Sequence, residues 1–220
     1  MNDSYGTIDM KPRDYYAHQR REMLGYIHAT ARTILEVGCG AGDFGATLKR
    51  ELNAEVWGIE LVPAAAERAA RRLDRVVAGN LETDEIHLPD EYFDCIVCND
   101  VLEHLADPWR VVRLLRAKLK RDGVMVASLP NVRFYLVMKE LFIHKRWEYR
   151  DQGVLDRTHL RFFTFGTARE LFEQGGYRLE TIEGINAYDF SWKFRLLNRV
   201  LLNGLNDMRF EQFACVAHKF

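Results

Sequence analysis

Several things are scarce in these 220 residues, and each scarcity removes a class of protein. Only 5 prolines occur, and no tract is dominated by one or two residue types, so a disordered or repetitive polymer is excluded. Nowhere do about 18 apolar residues run uninterrupted, and the opening "MNDSYGTIDMKPRDYY" has no apolar leader core, so the chain reads as cytoplasmic. Net charge is −1, which argues against a basic coat for nucleic acid, and no nucleic-acid partner is expected. The 4 cysteines, Cys39, Cys95, Cys98 and Cys215, are too few and scattered for a disulfide framework. Cys95 and Cys98 spell C-x-x-C, yet they lie in the strand-like "YFDCIVCND", where residues three apart face opposite sides. The seven histidines show no H-x-x-x-H or Cys/His spacing, so catalysis without a bound metal is expected.

What is present is an alternation of strand-like and helix-like stretches, the pattern of a parallel sheet with crossover helices. Five consecutive parallel strands are predicted at 33–39, 55–61, 75–81, 93–99 and 123–129. Helical spacing follows in "FGATLKREL", in "PAAAERAARRLD" and in "DPWRVVRLLRAKLKRDG", the last with Asp107 as cap, Pro108 in the first turn and Gly123 as the stop. An aromatic and basic insertion occupies 131–165, before the helix "TARELFEQGG". Two more strands, "YRLETIEGIN" and "QFACVAHKF", close the chain like a hairpin, so the last is expected to run antiparallel. The expectation is one α/β domain over 1–220, with an N-terminal cap at 10–30.

Between the first strand and its helix lies "ILEVGCGAGDFG" (34–45). Gly40, Gly42 and Gly45 satisfy the dinucleotide pattern G-x-G-x-x-G. The same stretch also reads E-x-G-x-G-x-G through Glu36, Gly38, Gly40 and Gly42. A pyrophosphate would find Glu36 a poor neighbour, whereas an ammonium-bearing ligand would find it a good one. Glu60 ends the second strand, where a carboxylate accepts ribose hydroxyls in either case. With these residues, "AGNLE" (78–82) and "FDCIVCNDVLEHLADPWRVVRLLRAKLKRDGVMVASLPN", residues 10–185 resemble the class I S-adenosylmethionine (SAM)-dependent methyltransferases, small bacterial enzymes of surface-polysaccharide synthesis among them.

That resemblance implies a Rossmann-like, seven-stranded, mostly parallel sheet with helices on both faces and an antiparallel last strand. It implies SAM as cofactor, with S-adenosylhomocysteine as product. The cofactor residues it implies are Tyr15 or Tyr16 from the N-terminal cap, Glu36, Gly38, Cys39, Gly40 and Gly42 in the loop, and Glu60 and Leu61 at the ribose. Asn80 and Leu81 belong at the adenine, Asn80 standing where many relatives carry Asp. Asn99, Asp100 and Val101, with Glu103 and His104 behind them, map to the methyl-transfer site.

For the acceptor end, Asp100, His104 and His159 are the candidate catalytic residues. His104 alternatively packs under the cofactor. His159 lies in "GVLDRTHLRFFT", where Asp156 is read as orienting it and Arg157 as meeting an anionic group, or Asp156 merely turns the chain. From 131 to 169, eight basic against four acidic residues leave +4, which favours an acidic acceptor or makes an ordinary solvated rim. "FYLVMKELFIHKRWEY" and "DFSWKFRLLNRVLLNGL" combine apolar bulk with cations, as a peripheral membrane contact, a lid or a homodimer contact would. Arg20 and Arg21 read as surface, and the Arg68, Arg71, Arg72 and Arg75 stripe as a solvated helix face. The leading expectation is methyl transfer to a sugar hydroxyl of a small-molecule or glycan acceptor. A quinone- or polyketide-like hydroxyl or an amine, a non-catalytic SAM-binding protein and an NAD-dependent oxidoreductase are the alternatives.

Overall fold

The computed structural model describes residues 20–220. Its seven strands are β1 (Thr33–Val37), β2 (Glu55–Glu60), β3 (Arg75–Ala78), β4 (Phe93–Asn99), β5 (Leu119–Pro130), β6 (Tyr177–Ala187) and β7 (Phe210–Lys219). They form one sheet in the order β3-β2-β1-β4-β5-β7-β6. Strands β1 to β5 pair in parallel, and β7 runs antiparallel to both of its neighbours. The expected Rossmann-like sheet is therefore present, including the antiparallel last strand. Chain order reverses between β1 and β4, and a crevice opens beyond the carboxyl ends of the strands at such a point.

The helices are α1 (Arg21–Leu24), α2 (Asp43–Leu52), α3 (Pro63–Ala69), α4 (Pro108–Lys118), α5 (Tyr135–Phe142), α6 (Phe165–Gln174) and α7 (Trp192–Val200). Because side chains alternate along a strand, each central strand feeds two cores. Leu35, Val37, Ile96 and Cys98 pack with Val112 and Leu115 of α4 and Leu171 and Phe172 of α6. On the opposite face, Ile34, Cys95 and Val97 meet Phe44 and Leu48 of α2, Ala69 of α3 and Met23 of α1. Cys95 and Cys98 thus lie on opposite faces, as strand geometry requires, and all four cysteines are buried free thiols.

Two caps follow the sequence logic: the Asp107 carboxylate accepts from Arg110 N, and Thr164 forms a capping box with Thr167 ahead of α6. Gly123 is not the stop of α4. The helix ends at Lys118, because fully buried Leu119 already aligns with Phe93 of β4. The pairing then shifts register between Phe93 and Cys95, and a Cβ on Gly123 would lie 3.0 Å from Leu119 Cβ, so the glycine permits a close approach within the strand. Helix α3 also ends earlier than its arginine spacing suggests.

The insertion is pinned at its start by Asn131, whose buried amide donates to Asp207 O and Phe210 O at 2.8 and 2.9 Å. It is pinned at its end by Leu160 N and Arg161 N, which both donate to Glu103 O at 2.8 and 2.9 Å. Segment 187–209 holds α7, which leaves Trp192, Leu196 and Val200 exposed.

Candidate active site

The loop between β1 and α2 is built for close approach. Gly38, Gly40 and Gly42 have φ of +68°, +56° and +79°, a region that disfavours other residues. A Cβ on Gly38 would come within 2.6 Å of Val101 Cγ2. Gly42 serves the scaffold instead of the cleft wall: its Cβ would press on Ala69 of α3 at 3.1 Å, and it caps α2.

Glu60 reaches back from the end of β2, its two oxygens accepting from Gly40 N at 2.8 Å and Val62 N at 2.9 Å. Glu36 lies buried beneath the loop, and its Oε2 has no hydrogen-bond partner among the described residues. Burial pushes its pKa up to about 8, with the amide of Gly45 opposing and the charge of Glu60 reinforcing. At the tip of β4, the side-chain oxygen and nitrogen of Asn99 are both buried and have no partner among the described residues. Burial likewise holds the Cys39 thiol protonated.

Asp100, also left-handed at φ +53°, is engaged by its neighbours. Ser128 Oγ donates to its carboxylate at 2.9 Å, Gln212 Nε2 at 2.6 Å, and Arg20 forms an ion pair with it. Three side chains thus hold its carboxylate in place. Arg20 is a cleft residue, its side chain 14% exposed, and not the surface residue that its run of neighbouring charges suggests.

His104 and His159, 55 positions apart, come together with ring centroids 4.7 Å apart. His104 Nδ1 lies 3.1 Å from Thr158 O, and His159 Nδ1 lies 2.9 Å from Val154 O. His159 Nε2 faces Glu103 Oε1 at 3.9 Å. Glu103 is fully buried, neither of its carboxylate oxygens has a hydrogen-bond partner among the described residues, and burial raises its pKa well above the usual carboxylate range. Donor atoms of Glu103, His104 and His159 all lie within 4.8 Å of one another. Histidine spacing along the chain gives no hint of this group, because the fold assembles it.

Asp156 turns the chain: its Oδ1 accepts from Thr158 N at 2.9 Å and Thr158 Oγ1 at 2.7 Å. It positions His159 through the backbone, His159 N donating to Asp156 O at 3.0 Å. Arg157 pairs with Asp151 at the exposed rim. Arg146 pairs with Glu148 within the insertion, while Arg133 and Arg169 pair with Asp207 and Glu173 outside the counted segment, so its positive excess is matched only in part.

One cleft of about 820 Å³ joins both ends. Its wall includes Glu36, Gly38, Cys39, Gly40, Glu60, Leu61, Asn80, Leu81, Asn99, Asp100, Val101 and His104 of the expected cofactor set. Asn80 Oδ1 accepts from Glu82 N at 2.8 Å, which orders the turn after β3. Tyr15 and Tyr16 lie outside the described residues.

The model of a methyltransferase domain matches residues 10–182. The chain belongs to the methyltransferase-domain family. S-adenosylmethionine is accordingly its cofactor, and the site fits that ligand. Glycines admit a close-lying nucleoside, Glu60 presents a braced carboxylate, and Glu36 and Asn99 offer buried polar atoms that lack partners among the described residues.

A Mycobacterium tuberculosis protein named "Probable S-adenosylmethionine-dependent methyltransferase" is 35% identical over 102 residues, 46% of this chain and 37% of that protein. The chain therefore spans little more than a third of that relative's length. The ubiquinone biosynthesis O-methyltransferase of Coxiella burnetii is 25% identical over 194 residues, covering 84% of this chain and 77% of that one. Among solved structures, a SAM-dependent methyltransferase from Archaeoglobus fulgidus shares the fold, with TM-score 0.66 and 22% identity over 99% of this chain and 100% of that one.

Within this methyltransferase domain, sequence reading singled out His104 and His159 but missed Glu103 as their partner, and missed Arg20 and Gln212 as anchors of Asp100. The available signal for Glu103 was a carboxylate set between leucines in "VLEHL", a context that buries it.

Proposed function

We propose that this chain transfers a methyl group from SAM to the hydroxyl oxygen of a small ring-bearing acceptor. The observation that carries this reading is the single cleft running from the glycine loop to Glu103, His104 and His159. When bound, SAM supplies an electrophilic methyl carbon on a sulfonium, so the chain's task is to orient, exclude water and remove a proton. Glu60 would hold the ribose hydroxyls, since each of its oxygens keeps a lone pair beyond the one used by a backbone amide. Glu36 and Asn99 would meet polar groups of the ligand, and a cation beside Glu36 would draw its pKa back down. Asn80 and Leu81 would border the adenine.

At the other end, Phe134, Leu136, Val137, Val154 and Leu155 form an apolar wall. Such a wall suits a ring better than the hydroxyl-covered faces of a sugar. The O-methyltransferase named for ubiquinone biosynthesis among the relatives supports the same acceptor class. The cluster of Glu103, His104 and His159 promotes loss of the hydroxyl proton.

The test is transfer from isotopically labelled SAM to a panel of phenols and catechols, set beside nucleotide sugars and amines. A methyl ether on a phenolic ring is the expected product; turnover on sugars or amines alone would refute the acceptor assignment. His159→Ala should keep S-adenosylhomocysteine binding and lower transfer by ~10²-fold or more. Unchanged turnover would remove the cluster from the mechanism.

A further inference from the structure

We propose that Glu103, His104 and His159 form a divalent transition-metal site whose open positions receive the acceptor's hydroxyl oxygen. The inference deepens the reading above and rests on this end of the cleft being the acceptor end. Glu103 is the first reason. It is 0% exposed, and both carboxylate oxygens lack a hydrogen-bond partner among the described residues. A buried carboxylate is costly unless it is paired or bound to a metal, and here the groups facing it are two imidazoles.

The histidines supply the second reason. Each has Nδ1 against a backbone carbonyl, Val154 O for His159 and Thr158 O for His104. A ring nitrogen in that position carries the proton, which leaves the lone pair on Nε2. Support of this kind is what fixes the tautomer of a metal-binding histidine.

Spacing is the third. Three atoms no more than 4.8 Å apart all lie within about 2.8 Å of a common point. Inward movement of roughly 0.7 Å by each would reach the ~2.0–2.2 Å bonds of zinc. Side-chain rotation suffices for a movement of that size. Two imidazoles and one carboxylate select Zn²⁺, Fe²⁺, Co²⁺ or Mn²⁺ over Mg²⁺ and Ca²⁺, which prefer oxygen ligands. With three protein ligands, positions stay open toward the cleft that all three residues line.

The site gives the acceptor reaction a complete electron and proton account. Coordination lowers the pKa of the acceptor hydroxyl, whose proton passes to solvent. The oxygen lone pair then forms the new O–C bond while the C–S bond breaks, its electron pair remaining on sulfur as a neutral thioether. His159 acts in this scheme as a ligand and not as the proton acceptor.

The experiment uses the full chain, stripped with a chelator and dialysed. It is titrated calorimetrically with Zn²⁺ and by visible absorption with Co²⁺, with S-adenosylhomocysteine affinity measured in parallel. One Co²⁺ per chain with ligand-field bands is expected. It should be lost in both Glu103→Gln and His159→Ala, while both variants keep S-adenosylhomocysteine affinity and so report an intact fold. Absence of binding by either ion, or equal binding in wild type and both variants, overturns the site. Metal binding without S-adenosylhomocysteine binding would support the site while striking the proposed function, so the two failures are distinguishable.

Discussion

Replacing Glu36 with glutamine should flatten the pH dependence of stability. Glu36 is buried under the glycine loop, and desolvation lifts its pKa from 4.5 to about 8 in the folded protein. A raised folded pKa means that the native state holds this proton more tightly than the unfolded chain does. The resulting stabilisation is complete below pH 4.5, declines as pH rises, and is gone above about 8. At ~1.4 kcal/mol per pH unit, the interval corresponds to roughly 5 kcal/mol from this one group, a large part of a domain's ordinary stability. Glutamine mimics the protonated carboxyl in size and neutrality, so Glu36→Gln keeps its offset at every pH and loses the slope. Urea unfolding of wild type and variant at pH 6, 7, 8 and 9, without ligand, measures the difference directly. Wild type should lose stability relative to the variant up to about pH 8 and then run parallel to it. Parallel curves across the whole range would show that Glu36 titrates normally and that the account of its burial is wrong.

Glu60→Ala removes the partner of both Gly40 N and Val62 N together with the carboxylate proposed to hold the ribose, so S-adenosylhomocysteine affinity should weaken by ~10²-fold or more in calorimetry. Gly45→Ala would place a Cβ 2.6 Å from Glu36 Oε2 and 2.7 Å from Leu73 Cδ2. The crowding should cost about 1–3 kcal/mol in denaturant unfolding, outweighing the ~1 kcal/mol that alanine gains over glycine within a helix.

That the expected donor residues gather on one cleft was readable because their spacing is local. Gly38 and Gly40 sit within one turn of each other, and Glu60 ends the neighbouring strand, so spacing along the chain translates into proximity at the sheet edge. Gly42 shows the limit of such patterns: it belongs to the same run, yet its positive φ serves the packing of α2 on α3. The antiparallel β7 was expected from the hairpin-like pair of strands that closes the chain, and it holds even though the long connection from β6 contains α7. The acceptor half was not readable in the same way. Glu103 meets His159 only because the Asp156–Thr158 turn and the Leu160 and Arg161 amides fold the insertion back onto the β4 loop. Arg20 was read as surface because an arginine beside other charges usually is; its partner Asp100 lies 80 residues away. Gly123 looked like a helix stop because the close packing of Leu119 that requires it depends on tertiary contact.

The paired bonds from Leu160 N and Arg161 N to Glu103 O run from main chain to main chain. They are indifferent to which side chains occupy positions 160 and 161, proline excepted. Surface loops change faster over evolution than the elements they join. A loop fastened in this way can exchange its side chains, and with them the molecules it admits, while the carboxylate beneath stays in register with the donor. On the proposed reading, acceptor preference and chemical machinery are thereby separable under selection. A library randomised along the wall-forming residues of the insertion, with 103, 104 and 159 held constant, is the natural route to new acceptors on this scaffold.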